Sequence, residues 1–252
     1  MISKIRKYIG KQNFIKQIFA KIGGLDYAIY DRTNIILGYQ FIDYFVTTDG
    51  AKYKVNFESQ FTVGTTRLEY DWSDMRPDDI ILDIGANVGG FAIGAALKAK
   101  HVYAVEPIFY KELEENVKLN NLSNITILPF AIGNGGNIDL SYNKNKQNDI
   151  ITYPLSNIIN MIQTMSNNQH KVSFLKCDCE GGEWYIKPSN LIGIRRIEME
   201  VHPDYFPTEA YNRELISCIK QNWNVTFTNE GCELYIIHAH GKYDELYKEL
   251  LK

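Results

Sequence analysis

The chain has 252 residues, 45% of them hydrophobic and 23% charged, and its net charge is −3. That length asks for one good-sized domain, or a domain with an appendage, and requires no second one. The balance is that of a soluble globular protein with no global attraction to polyanions, so nucleic acid is not expected as a partner.

Residues 2–22 set Ile2, Ile5, Ile9, Ile15, Ile18, Phe19 and Ile22 at helical spacing among lysines, and Gly23-Gly24 stops the pattern. Residues 1–24 hold six Lys or Arg and no acid, which leaves −9 on the rest of the chain. The segment reads as a basic amphipathic helix packing its isoleucines on the body. Its alternative is weak contact with a membrane surface or a partner. Residues 35–63 mix aromatic and β-branched residues with polar ones around Thr47-Thr48-Asp49-Gly50, which predicts an antiparallel hairpin. Arg67–Met75 reads as a short helix or loop, and Arg76–Asp79 as a turn. Residues 1–75 are therefore expected to be a helix-and-hairpin extension, and 76–252 the main domain.

From there the pattern alternates: strand 80–84, helix 89–99, strand 101–105, helix 109–121, strand 125–130. Such alternation predicts a parallel sheet with right-handed crossovers. Residues 134–149, rich in Asn, Lys and Gly, break the rhythm as a loop or hairpin with a short strand at 138–142, placed to act as a lid. Ser156 is the expected cap of a helix over 157–166. Strand 172–178, a helix over 181–192 kinked at Pro188, strand 196–202 and helix 208–222 follow. Strands 224–228 and 233–239 flank Asn229-Glu230-Gly231, too short for a crossover helix, so they pair antiparallel, and a small helix closes the chain over 242–252. The fold class is α/β: a Rossmann-like, mostly parallel sheet ending in an antiparallel strand pair.

Asp83 stands at the tip of the first parallel strand and opens Asp83-Ile84-Gly85-Ala86-Asn87-Val88-Gly89-Gly90, a turn into an Ala-rich helix. Gly85-x-Asn87-x-x-Gly90 nearly matches a dinucleotide-binding turn, and Glu106 ends the next strand where such folds place a carboxylate on ribose. An acid directly ahead of the glycines repels a pyrophosphate, and the antiparallel C-terminal pair departs from a nicotinamide-binding fold. A nucleoside carrying a sulfonium and an ammonium group, S-adenosylmethionine, fits better than NAD. An NAD-dependent oxidoreductase and a non-catalytic cofactor-binding module are the alternatives.

Asp178 and Glu180 lie at the tip of the fourth strand and His202 closes its neighbour, so all three are expected at the C-terminal edge of the sheet, where ligands bind. His202 is the first choice of general base, because imidazole titrates near neutrality. The same cluster with Glu200 offers a second use, holding a divalent cation, which is not favoured, and no metal ligand is assigned. Glu198 is expected to pair with Arg195 or Arg196, and Cys177 and Cys179 to point into the core. Four cysteines form no disulfide framework or zinc spacing, and no apolar run reaches the roughly 18 residues of a membrane span, so a cytoplasmic protein is expected. No Pro-Pro-aromatic follows Asp178 and no Pro-Cys occurs, which argues against methylation of bases, and Tyr142-x-x-x-Lys146 reads as chance.

Asp83-x-Gly85-x-Asn87-x-Gly89, Val105-Glu106-Pro107 and, most specifically, Leu175-Lys176-Cys177-Asp178-Cys179-Glu180-Gly181-Gly182-Glu183 resemble the FkbM-type family of class I methyltransferases. The last stretch resembles that family's Lys-x-Asp-x-Glu-Gly-x-Glu signature, and the resemblance covers about residues 76–240. It implies a cofactor site of Asp83, Gly85, Ala86, Asn87, Gly89, Glu106, Pro107 and Asp178, with Phe130 and Ala131 beside adenine. It also implies O-methylation of a small molecule or glycan, for which the strand-end residues His202, Asp178 and Glu180 are the expected catalytic set.

Overall fold

A computed structural model describes residues 27–28, 44–54, 57–138, 150–203, 209–229 and 235–242. The expected helix over 2–22, the Tyr142 and Lys146 pair, Glu230-Gly231 of the last turn and the closing helix beyond 242 lie outside these residues.

Strands β1 (Tyr27–Ala28), β2 (Tyr44–Thr47) and β3 (Lys52–Lys54) form a small antiparallel sheet. β2 and β3 are the expected hairpin, closed by Gly50 at φ 88°, whose N–H donates to the Thr47 carbonyl at 2.9 Å. The hairpin ends sooner than predicted. Residues assigned to its second half form helix α1 (Phe57–Glu69) instead. Val63, Thr65 and Thr66 carry β propensity, but packing overrides it: Val63 and Thr66 are buried where Gly90 lets another helix approach closely.

The apolar runs then become β4 (Ile80–Ile84), β5 (His101–Val105) and β6 (Ile125–Leu128), joined by α2 (Gly90–Ala96) and α3 (Tyr110–Leu119). β7 (Ala131–Ile132), β8 (Gly136–Ile138) and β9 (Ile150–Tyr153) form a side sheet, and α4 (Leu155–Met165) leads to β10 (Phe174–Cys177) and β11 (Arg196–Val201). α5 (Glu209–Asn222), β12 (Trp223–Thr228) and β13 (Tyr235–Gly241) complete the order. The seven-stranded sheet runs β12-β13-β11-β10-β4-β5-β6, and β13 is antiparallel to both its neighbours while the other pairings are parallel. This is the expected Rossmann-like α/β fold. Successive crossovers leave β4 toward β5 and β6, whereas β10 and β11 build the other way, so a crevice opens between the ends of β4 and β10. Alternate residues of β4 serve opposite faces: Leu82 and Ile84 pack with Leu155, Ile158 and Ile162, and Ile81 packs with Phe91, Ala92 and Ala95.

Other predictions are corrected. The strand expected over 125–130 stops at Leu128, because β7 leaves the main sheet to pair with β9, a strand that was not predicted. The α4 N-cap is Pro154, whose φ of −59° presets the first turn, and Ser156 makes no cap bond. The helix expected over 181–192 is two 3-10 turns, Gly182–Tyr185 and Pro188–Leu191, since Gly181 at φ 97° and Pro188 deny a continuous helix. No helix among the described residues is long and apolar enough to cross a membrane.

Candidate functional site

A cavity of about 820 Å³ opens at the C-terminal ends of β4, β5 and β10. Gly85 forms its floor at φ 76°, and a Cβ there would lie 1.7 Å from the Asp178 carbonyl oxygen, so the turn after β4 and the end of β10 meet backbone on backbone. Ala86, Asn87, Glu106, Pro107, Ala131 and Asp178 line the cavity, as the sequence predicts. Gly89 and Phe130 do not. Gly89, at φ 95°, faces α3, where a Cβ would meet Leu113 at 2.6 Å. Phe130 turns to Tyr153 with ring centroids 4.8 Å apart, so Ala131, Ile132 and Ile150 form the wall expected from Phe130 and Ala131.

Glu106 carries more of the backbone than expected. Its Oε2 accepts the Asn87 N–H at 2.8 Å, and its Oε1 accepts the N–H groups of Ile108 at 2.7 Å and Phe109 at 2.9 Å. It clamps the glycine turn to the start of α3 while still lining the cavity. Asp83 sits beneath the wall, fully buried, and among the described residues neither of its carboxylate oxygens accepts a hydrogen bond. Lys176 Nζ lies 3.3 Å from Asp83 Oδ1 and 3.6 Å from Asp178 Oδ2, and donates to the Gly85 carbonyl at 2.8 Å. Burial pushes the Asp83 pKa up, Lys176 pulls it down, and burial wins.

Asp178, Glu180 and His202 converge as predicted, each offering a ligand atom within 4.8 Å of the others. His202 itself is 3% exposed and stands behind Glu180 rather than on the cavity wall. Its Nε2 is 3.4 Å from Glu180 Oε2 and 4.0 Å from Glu200 Oε2. Tyr70 donates its hydroxyl to Asp178 Oδ2 at 3.0 Å. Burial and the neighbouring Asp178 push the Glu200 pKa up to about 8, so the two carboxyls share a proton near neutrality. Burial raises Glu69 as well, with Asp178 adding to it.

Sequence reasoning missed Glu69 and the α1 threonines Thr62, Thr65 and Thr66 on the cavity wall and Tyr70 behind it, and gave no role to Lys176 or Glu183 although both stand in the quoted signature. Glu198 pairs with Arg196, as expected, and with His238 at 2.7 Å, whereas Arg195 pairs with Asp74 at 2.6 Å and Asp79 at 2.7 Å. Cys177 is in the core. Cys179 lines the cavity instead, with Sγ 3.7 Å from Glu183 Oε2.

No family model matches the chain. Over 135 residues it is 30% identical to an uncharacterized RNA methyltransferase of Streptococcus mutans, a match that covers 48% of this chain and 29% of that protein. Over 62 residues it is 39% identical to a 23S rRNA uracil-C5 methyltransferase of Klebsiella pneumoniae, covering 24% of this chain and 14% of that one. An uncharacterized Methanocaldococcus jannaschii protein is 28% identical over 144 residues, covering 55% and 51%. The chain spans about half or less of the length of these curated relatives. Among solved structures, a Streptococcus thermophilus rRNA methylase superposes with a TM-score of 0.45 at 7% identity, covering 74% of this chain and 98% of that one. A Streptococcus mutans protein solved with SAH superposes at 0.41 and 10% identity, covering 73% and 99%. The exclusion of nucleic acid is corrected by the matches to proteins named as RNA methyltransferases. A net charge of −3 describes the whole surface and does not decide what a local crevice accepts.

Proposed function

We propose that the chain is a class I S-adenosylmethionine-dependent methyltransferase acting on a hydroxyl of a sugar or another small metabolite. The observation that carries this reading is the excess of carboxylates at the crevice, where Glu69, Asp178, Glu180 and Glu200 line the cavity with Lys176 and Asp83 lies beneath them. A ligand bearing sulfonium and ammonium charge balances them, and the cavity has the size of a nucleoside site. Ala86, Asn87, Glu106 and Pro107 would hold the nucleoside, Ala131 and Ile132 its base, and Asp178 the cationic end, with the Asp83 charge acting from beneath the wall. Bound there, S-adenosylmethionine supplies a methyl group on positive sulfur. The chain's own contribution is to hold the acceptor oxygen in line and away from water, and to receive its proton on His202.

The FkbM-type assignment is supported by the Lys176-x-Asp178-x-Glu180-Gly181-x-Glu183 pattern, in which every named side chain except Gly181 has a contact at the site. Residues 76–252 are the binding domain, and the preceding extension lends α1 and Tyr70 to its crevice. The thiols Cys177, Cys179 and Cys218 are free, which suits a reducing cytoplasm. A second reading, an RNA acceptor, is favoured by the names of the matched relatives.

Mass spectrometry of the co-purifying ligand and titration calorimetry test the cofactor: S-adenosylmethionine or its demethylated product is expected, and NADH binding without either overturns the reading. Labelled methyl transfer, with small-molecule glycosides and total RNA offered together, separates the two acceptors by the fraction that takes up label.

A further inference from the structure

Glu183 is fully buried in the 3-10 turn that follows Glu180, and both its oxygens are engaged. Oε1 accepts the backbone N–H of His202 at 2.8 Å and lies 3.1 Å from His202 Nδ1. Oε2 accepts the Gly181 N–H at 2.9 Å. Trp184 Nε1 donates to the His202 carbonyl at 2.9 Å, so main chain and side chain at the end of β11 are tied to one turn. A carboxylate only accepts hydrogen bonds, and the buried Glu183 oxygen at 3.1 Å from Nδ1 is nearer than the exposed Glu180 oxygen at 3.4 Å from Nε2, which favours the neutral imidazole's proton on Nδ1. Nε2 is then the nitrogen with the lone pair, on the side of Glu180 and Asp178.

We propose that Glu183 is a positioning residue for His202, fixing the tautomer and ring orientation that let Nε2 take the acceptor's proton. The proposal rests on the methyl-transfer reading above. In that step the hydroxyl proton passes by way of Glu180, which lines the cavity 3.4 Å from Nε2, to Nε2 as the oxygen bonds to the methyl carbon. The carbon–sulfur bond breaks with its electron pair on sulfur, and the imidazolium charge is held against the Glu183 carboxylate. The charged groups around His202 are Glu183 on its turn, Glu180 before it, Glu200 on β11, and Asp178 with Lys176 on β10. Burial draws the His202 pKa down, but Glu183 first, then Glu180 and Glu200, push it up, and the acids prevail. A base must be neutral to act, so the rate rises with pH through that raised pKa.

Glu183→Gln keeps the shape and removes the charge. The expected result is an acid limb of the pH–rate profile moved to lower pH by about one unit, with kcat reduced roughly 10- to 100-fold and S-adenosylmethionine affinity unchanged. Nitrogen NMR of the imidazole follows His202 directly, independently of turnover. A His202 titration that does not move in Glu183→Gln overturns the proposal, as does a uniform loss of activity at every pH with the limb in place. If Glu183→Gln does not fold, the wild-type tautomer decides: Nδ1–H supports the proposal and Nε2–H overturns it. Where the imidazole shifts as expected but wild-type protein transfers no methyl group to any acceptor, the parent reading fails and the catalytic role with it.

Discussion

Two buried charge clusters lie at opposite ends of β11, and they are built on opposite rules. At its start, Arg195 and Arg196 face Asp71, Asp74, Asp79 and Glu198, and each of these carboxylates is within ion-pair distance of an arginine. At its end, Glu180, Glu183, Glu200, Asp178 and His202 gather, with Lys176 the lysine that reaches Asp178 and Asp83. The first cluster sets two arginines against four carboxylates, with His238 and His240 also at ion-pair distance, and it stands away from the cavity. The second sets one lysine and one histidine against five carboxylates and opens onto the cavity through Asp178, Glu180 and Glu200, and an imbalance placed at a crevice points to a ligand rather than to stability.

The strongest test of the contrast is Arg196→Met, which takes the arginine from buried Glu198 and leaves Asp74 with Arg195 alone of its two. Unfolding in urea is expected to show a loss of about 3–5 kcal/mol, and a smaller cost than that of the crevice substitutions would erase the distinction. His202→Gln should act the other way round. Methyl transfer falls by roughly 10²- to 10⁴-fold while the urea midpoint moves less than in Arg196→Met, as paired rate and denaturation measurements would register. Asp83→Asn takes one of two acids from buried Lys176, so stability should fall, though by less than in Arg196→Met because Asp178 still faces the lysine. Its cofactor affinity should fall about tenfold, or about 1.4 kcal/mol, by calorimetry, and unchanged affinity would count against the cationic ligand.

The smallest effect is in pH, and its sign differs between the clusters. Burial works against the Asp74 charge, but the His240 hydrogen bond and the two arginines hold its pKa at about 2. Its stabilisation is therefore present above the ordinary carboxylate range and lost as pH falls through about 2. Glu200, raised to about 8 by burial and Asp178, binds its proton more tightly when folded. Its contribution is fullest below the unfolded value and is lost as pH rises through about 8. Unfolding free energies at pH 5, 7 and 9 should show this decline in wild type and a flatter curve in Glu200→Gln.

The sheet was legible because β4 and β5 are apolar runs bounded by turn residues, because β11 alternates apolar and charged residues, and because the gap between the last two strands has no room for a helix. Asp178, Glu180 and His202 followed from strand ends alone. α1 was not legible, since its threonines and valine favour strands locally and the helix is held by its approach to Gly90. Tyr70 meets Asp178 across 108 residues of sequence, a contact with no local pattern to announce it. Lys176 stood in the signature, but its burial between two acids depends on the neighbouring strand. Phe130 was misplaced because the turn from β6 into β7 rotates it toward Tyr153.

The contact between Gly85 and the Asp178 carbonyl is made without side chains. No substitution on the crevice rim alters the atoms that set this spacing, so the gap between donor turn and acceptor acid is an inherited constant. Around such a fixed gauge, Glu69, Thr62 and Thr65 on the cavity wall can change. New acceptors can then be accommodated by changing the rim alone, while the distance over which a group must travel is left as it was.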